Sequence, residues 1–316
     1  MRLYLKAFAI FLISIITFIT ILLLYYQNSV FYPQKKELNK YHYYWLNRLK
    51  EDKFELSYHK NNSYLIIRAT KESLKNRRFK LLRDSLKRRG VNIEKINSKI
   101  AILLHGKNGR KEDLLAMVEK FMAIGFTIIL PDLPAHGDNK ENYIFNFNRE
   151  SFVDSVLNDA KKYINIDKSI AIWGFSLGGA YAISSVAKSK YKFGAIAVVS
   201  TFDNLYNVVD DKSRLIFGDR VGSFISKLFI KVCKIFDGIN LKDIDIVKYA
   251  KKIEVPTLII HGKKDKIINY HRGEALYNSF YTKNKTIILD DSDHYSILKN
   301  GGLLFNSGVF LMAKLK

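Results

Sequence analysis

An α/β architecture with a mostly parallel sheet and helices on both faces is predicted by three observations. Short β-branched and aliphatic runs alternate with helical patterns along residues 64–314. Most of these runs are continuously apolar rather than alternating, which suits strands buried on both faces. Glycine or proline stands at many junctions, as at Gly106, Gly125, Pro131, Gly174, Pro256 and Gly262.

The strands expected in order are Tyr64–Ala69, Ile100–Leu104, Thr127–Leu130, Ser169–Trp173, Ala195–Ser200, Thr257–Ile260 and Thr286–Leu289. Helices are expected at about Glu112–Ile124, Glu150–Ile164, Leu177–Ser189 and His271–Tyr281, with Leu303–Lys314 closing the domain. Two stretches break the alternation. Lys71–Lys99 is strongly basic, with Leu74, Leu81, Leu82 and Leu86 at helical spacing. It reads either as a solvated insertion or as an amphipathic helix on anionic lipid, and the insertion is preferred. Residues 202–254 form a long insertion rich in Phe, Ile and Lys, expected as a small helical cap over the site.

The first thirty residues differ in kind. Ala7 to Tyr26 is a run of twenty residues without a charge. At about 1.5 Å per residue such a helix matches the roughly 30 Å hydrocarbon core of a bilayer. The run is longer than a signal-peptide core and no small-x-small cleavage site follows it. A retained transmembrane anchor is therefore expected at 1–30, a juxtamembrane linker at 31–53 (residues 27–50 reading as a helix or linker), and the main domain at 54–316. Arg2 and Lys6 are balanced by Lys35, Lys36 and Lys40, so the flanking charge leaves the membrane side open. Because large domains translocate largely regardless of charge, an extracytoplasmic domain is the expectation.

Composition narrows the class further. Hydrophobic residues are 48% and charged residues 26% of the chain, which excludes a disordered composition. The formal net charge is +22, but the basic residues are spread along the chain rather than gathered in a DNA-binding motif. A lipid surface is a better match than nucleic acid, which is not expected as a partner. The single cysteine, Cys233, excludes an internal disulfide and a cysteine zinc cluster, and reads as a small core side chain. Oligomeric state is not set by the sequence.

The chemistry is carried by Gly174-Phe175-Ser176-Leu177-Gly178, a G-x-S-x-G motif placed between a strand and a helix. A serine on so sharp a turn presents its hydroxyl as a nucleophile, and flanking glycines permit the turn and close helix packing. His105-Gly106-Lys107 ends an earlier strand. The backbone N–H groups of Lys107 and Leu177 are the expected oxyanion donors. His105 itself is expected to be structural. With the order serine, acid, histidine, Asp265 after the strand Thr257–Ile260 is the expected acid, and His294 after Thr286–Leu289 the base. Asp265 also suits a helix cap near Ile268, and Asp290, Asp291 and Asp293 are rival acids. His261 and His271 are expected to be surface or core residues.

These segments resemble the α/β-hydrolase superfamily. The resemblance rests on Leu103-Leu104-His105-Gly106, on Leu130 to Asp138, on Trp173 to Gly179, on Pro256 to Asp265 and on Asp293-His294. It spans about residues 100–300 and is nearest to bacterial hydrolases of the serine aminopeptidase, lysophospholipase and acyl-hydrolase-like group. The basic insertion at Lys71–Lys99 departs from the pattern. The resemblance implies an α/β-hydrolase fold and a membrane-anchored serine hydrolase working without metal or organic cofactor. The expected substrate is a small-molecule or lipid ester or acyl compound. A peptidase, and a non-catalytic tethered binding protein, are the alternatives.

Overall fold

The computed structural model describes the chain except residues 1–3, 5, 7–9, 12, 13, 15, 16, 18–20, 22, 26, 29, 60–62, 142–144, 146, 148–150 and 316. Its elements run α1 (Lys40–Glu51), β1 (Glu55–His59), β2 (Tyr64–Arg68), α2 (Lys71–Lys75), α3 (Arg77–Arg88), β3 (Lys99–Leu104), α4 (Leu115–Ile124) and β4 (Phe126–Pro131). There follow α5 (Phe152–Ala160), β5 (Ile170–Phe175), α6 (Leu177–Lys188), β6 (Phe193–Val199), α7 (Leu205–Phe217) and α8 (Asp219–Asp237). The chain ends with α9 (Val247–Ala250), β7 (Thr257–Gly262), α10 (Tyr270–Ser279), β8 (Lys285–Asp290) and α11 (Gly301–Lys314).

The eight strands form one sheet in the order β1-β2-β4-β3-β5-β6-β7-β8. Strands β3 to β8 are parallel to their neighbours, whereas β1–β2 and β2–β4 pair antiparallel. The alternation of side chains along β3 shows why its run is continuously apolar. Ile100, Ile102 and Leu104 enter the core on one face, and Ala101 and Leu103 the core on the other. With each such isoleucine or leucine worth about 1.5–3 kcal/mol when fully buried, the central strands fix the register of the sheet. One core lies under α5, α6 and the α7–α8 hairpin, the other under α1, α3, α4 and α11. The α7–α8 hairpin occupies the place expected for the cap.

Three features differ from the sequence expectation. The sheet has an eighth strand, β1, a half-exposed antiparallel edge strand that the seven expected runs omit. Its Glu55, Ser57 and His59 leave too little apolar character to signal a strand. The segment expected as a linker contains α1, which buries Leu46 and Leu49 in the core and is tied to the domain by His42 Nε2, 2.8 Å from Asp113. Asn39 caps α1 by accepting from the backbone N–H groups of Tyr41 and His42. Residues 40–51 thus belong to the packed unit. The basic segment is a packed insertion: α3 buries Phe79 and Leu86, and Phe79 meets Phe54 edge to face at 5.0 Å. Leu74 and Leu82 also pack against the core, whereas Leu81 is exposed.

No helix among the described residues is long and apolar enough to cross a membrane. Much of the span expected at Ala7–Tyr26 lies outside the described residues. Of those that are described, Ile10, Phe11, Ile21 and Tyr25 are exposed, while Leu23 enters the core beneath the cap, as does Phe31 beyond the span.

Candidate active site

The site forms at the carboxyl ends of β3, β5, β7 and β8. Strand β5 lies beside β3 although β4 follows β3 in sequence, so the strand order reverses direction here, and such a switch point opens a crevice. Strand β5 ends at Phe175, and α6 begins at Leu177. Ser176 between them has φ +53° and ψ −118°, a costly backbone for a side-chain-bearing residue. The surroundings enforce it. Ser176 N–H donates to the Val199 carbonyl at 2.8 Å, and the Ser176 carbonyl accepts from Gly179 N–H at 2.9 Å and Thr201 Oγ1 at 2.8 Å.

The motif glycines are required by close backbone approach. A Cβ on Gly174 would stand 2.3 Å from the Gly178 carbonyl oxygen, and one on Gly178 would stand 2.4 Å from that of Leu104. Both obstacles are main chain, so relief requires moving a strand or a helix. Gly178→Ala is expected to cost about 1–3 kcal/mol or more through overpacking, read as a lowered midpoint in denaturant titration. An unchanged midpoint would mean that α6 and β3 are less tightly apposed than described.

The three residues expected to act together are brought together. His294 Nε2 lies 3.1 Å from Ser176 Oγ, and His294 Nδ1 lies 2.6 Å from Asp265 Oδ2. All three side chains are largely buried. Asp265 divides its oxygens: Oδ1 accepts from the N–H groups of Ile267 and Ile268 at 2.9 and 2.8 Å, leaving Oδ2 for the imidazole. Asp265 thus closes the turn at Ile267 and Ile268 while facing His294; the helix-cap reading is not met, because α10 starts at Tyr270 and is capped by Asn269. Burial would raise its pKa, but hydrogen bonds from His261 and His294, with those backbone donors, hold it far below the usual carboxylate range. The rival acids are engaged elsewhere, Asp291 with Lys263 Nζ at 3.5 Å and the other two in the turn around the histidine. Asp290 accepts from Ser292 N–H at 3.0 Å, and Asp293 accepts from the N–H groups of Tyr295 and Ser296.

The two expected oxyanion donors, Lys107 and Leu177, border the same cavity as Ser176 and His294. That cavity measures about 260 Å³ and has an apolar wall that includes Val30, Phe145, Phe202, Leu205, Val209 and Ile268. Burial pushes the Lys107 ammonium pKa down.

Several contributors were not foreseen. His261 is buried with Nε2 2.9 Å from the Ile268 carbonyl and 3.5 Å from Asp265 Oδ2, so a second histidine flanks the acid. The loop that carries Lys107 is held by a buried charge cluster. Asp132 accepts from Lys111 Nζ at 2.6 Å, Lys111 N–H at 2.8 Å and Ser63 Oγ at 2.7 Å. Burial opposes the charge on Asp132, but Lys111, with a hydrogen bond from Ser63, keeps its pKa low. His105 Nε2 accepts from Leu133 N–H at 3.1 Å, which leaves Nδ1 to donate to the Gly106 carbonyl at 2.8 Å. His105 is thus structural, neutral and fixed in one tautomer. Burial lowers its pKa and that of His136, the latter to about 4.

A latch joins cap and body. Arg272 on α10 reaches Asp211 on α7 through two hydrogen bonds of 2.8 and 2.7 Å, and Asp203 at 3.4 Å. Arg272→Ala leaves Asp203 and Asp211 without this partner, at a cost of about 1–3 kcal/mol. Limited proteolysis within residues 205–237 is expected to accelerate in that variant. Equal cleavage rates would show that the latch does not hold the cap.

A family model described as serine hydrolase (FSH1) matches residues 134–296, just over half of the chain, including all three converging side chains. The chain belongs to the FSH1 serine hydrolase family. Solved structures agree with this member's fold. An esterase from Pyrococcus furiosus matches with a TM-score of 0.61 at 16% identity, covering 90% of this chain and 98% of that one. A candidate lipase from Acinetobacter baumannii AYE matches with a TM-score of 0.56 at 15% identity, covering 89% and 98%. A 2,6-dihydroxy-pseudo-oxynicotine hydrolase matches with a TM-score of 0.54 at 15% identity, covering 83% and 68%. No curated protein matches the sequence. This FSH1-family serine hydrolase has an α/β-hydrolase fold whose serine, histidine and aspartate meet at one rim of the sheet.

Proposed function

We propose that the protein hydrolyses carboxylic ester or acyl bonds of lipid or other acyl substrates through an acyl-enzyme on Ser176. The observation that carries the reading is the hydrogen-bonded chain Ser176–His294–Asp265 at the floor of an apolar-walled cavity. His294 Nε2 takes the hydroxyl proton as Ser176 Oγ attacks the carbonyl carbon. Charge then gathers on the carbonyl oxygen, where the N–H groups of Lys107 and Leu177 are assigned to stabilise it, aided by the amino end of α6. The imidazolium returns the proton to the leaving alkoxide, and Asp265 stabilises its charged form and fixes its tautomer. A water activated by the same imidazole then releases the acid and restores the serine. Every step uses groups of this chain, so no cofactor enters.

The acyl choice follows from the lining. A cavity walled by Phe, Val, Leu and Ile accommodates hydrocarbon. A peptidase that recognises a free amine needs available carboxylates, and the three at the start of the cap, Asp203, Asp210 and Asp211, are already engaged. Arg272 holds Asp203 and Asp211, while Arg214 and Ser226 hold Asp210. We further assign the run Ala7–Tyr26 as a membrane tether, supported by its length without charge and by the exposed apolar side chains described there. A tethered enzyme meets bilayer-partitioned substrates at raised effective concentration.

A panel of esters, thioesters and aminoacyl amides offered to the detergent-solubilised full chain tests the substrate class. Turnover of medium-chain esters or thioesters well above the amides is expected. Preferential release of amino-acid amides would replace this reading with the peptidase.

A further inference from the structure

The outer face of the cap carries two adjoining stripes. Along α8, Val221, Phe224, Leu228 and Ile235 recur at intervals of three, four and seven residues, which places them on one side of the helix. Arg220, Lys227, Lys231 and Lys234 recur at seven, four and three, forming a basic stripe next to it. Val221, Phe224 and Ile235 are 54%, 67% and 75% exposed, and the end of α7 adds the exposed Leu215, Ile216 and Phe217. Single exposed apolar residues are ordinary, but this grouping on one hairpin is a patch that calls for an occupant. The reverse side of α8 buries Phe229, Val232 and Cys233 in the core, and α7 lines the catalytic cavity with Leu205 and Val209. The hairpin therefore separates the cavity from the apolar patch.

We propose that this outer face docks on an anionic bilayer, with the apolar stripe at the acyl boundary and the basic stripe against lipid phosphates. An apolar face flanked by lysine and arginine is the pattern of a helix lying in a membrane interface. The only acidic residues of α8 are Asp219 and Asp237, at its two ends. A second copy of this chain is a poor occupant, because pairing the faces would set one basic stripe against another in a chain of net charge +22. The described end of the N-terminal helix reaches the same hairpin: Gln27 Nε2 donates to Asp237, and Phe31 joins the core that holds Phe229. The described residues just after the apolar N-terminal run thus reach the end of α8 that carries Asp237. This docking is independent of the chemistry at Ser176.

The test uses the full chain carrying Phe224→Trp, reconstituted in vesicles with brominated acyl chains, made from phosphatidylcholine with or without phosphatidylglycerol. Emission above the wild-type background is expected to fall by about half in the anionic vesicles, where an interfacial side chain reaches the acyl boundary, and less in the neutral ones. Tyr163→Trp, in the loop leading into the amino end of β5, controls for tethering alone and is expected to stay unquenched. A triple variant, Lys227→Glu, Lys231→Glu and Lys234→Glu, is expected to lose the anionic preference while turning over a short soluble ester normally. Absence of added quenching in a variant that keeps ester turnover overturns the proposal, as does equal quenching at Phe224→Trp and Tyr163→Trp. Cross-linking between copies through this face without quenching also overturns it, in favour of self-association.

Discussion

Ser176→Ala is expected to lower kcat/KM for a short p-nitrophenyl ester by about 10⁴-fold or more, as removal of a nucleophile does in enzymes of this kind. The fold should persist. Alanine meets the same backbone strain at φ +53°, and the main-chain bonds to Val199, Gly179 and Thr201 that hold the turn do not involve the hydroxyl. His294→Ala should produce a loss of similar size, because the imidazole 3.1 Å from the hydroxyl is the only base placed to activate it among the described residues. The double variant should be scarcely worse than either single one, since the pair acts as a unit. Steady-state kinetics together with near-ultraviolet circular dichroism decide the matter. Activity within tenfold of wild type in either folded single variant contradicts the assignment.

The second large effect concerns the acid. Asp265→Asn is expected to lower kcat by up to about 10⁴-fold by leaving the imidazole in the wrong tautomer. Asp290→Asn is expected to change it by about threefold at most, the range of a substitution outside the catalytic chain. Asp265 also makes stability depend on pH. The folded-state pKa of Asp265 lies below its unfolded value, so its stabilisation is present above the unfolded value of about 4 and fades as pH falls through the folded one. The stability gap between wild type and Asp265→Asn should therefore be widest near neutrality and narrow on acidification. Asp265 stays ionised across the working range, so the acid limb of the pH–rate profile belongs to another group. If Asp290→Asn proved the damaging change, the orienting carboxylate would have to be sought in the turn before His294.

How legible this was from sequence depended on what kind of contact was involved. Six of the seven expected strands were visible because both their faces are buried, which forces uninterrupted runs such as Ile100–Leu104, while β8 at the far edge keeps an apolar run although it is only partly buried. The edge strand β1 was not, because one solvated face and three polar residues erase that signal. Ser176, Asp265 and His294 were legible because each follows a strand end, and parallel strands bring those ends to one rim. His261 was hidden by its position inside the strand β7, where nothing local distinguishes a core histidine from one flanking an acid. The clusters Lys111–Asp132 and Arg272–Asp211 join residues twenty-one and sixty-one positions apart. Charged residues of this kind read as solvated surface until the fold pairs them. The same limit applies to Asp203 and Asp211, which in sequence look like free carboxylates and in space are partners of an arginine. The helix α1 fits the helix-or-linker reading of its segment, but its packing against the core through Leu46 and Leu49 was hidden by an aromatic and basic neighbourhood directly after an apolar run.

Reaction of the full chain with a fluorophosphonate, followed by peptide mass spectrometry, tests the account most directly. Stoichiometric phosphonylation of the peptide carrying Gly174 to Gly178, on Ser176 and lost in His294→Ala, is the predicted result. Failure of the folded protein to react, or an adduct on any other residue, would contradict it.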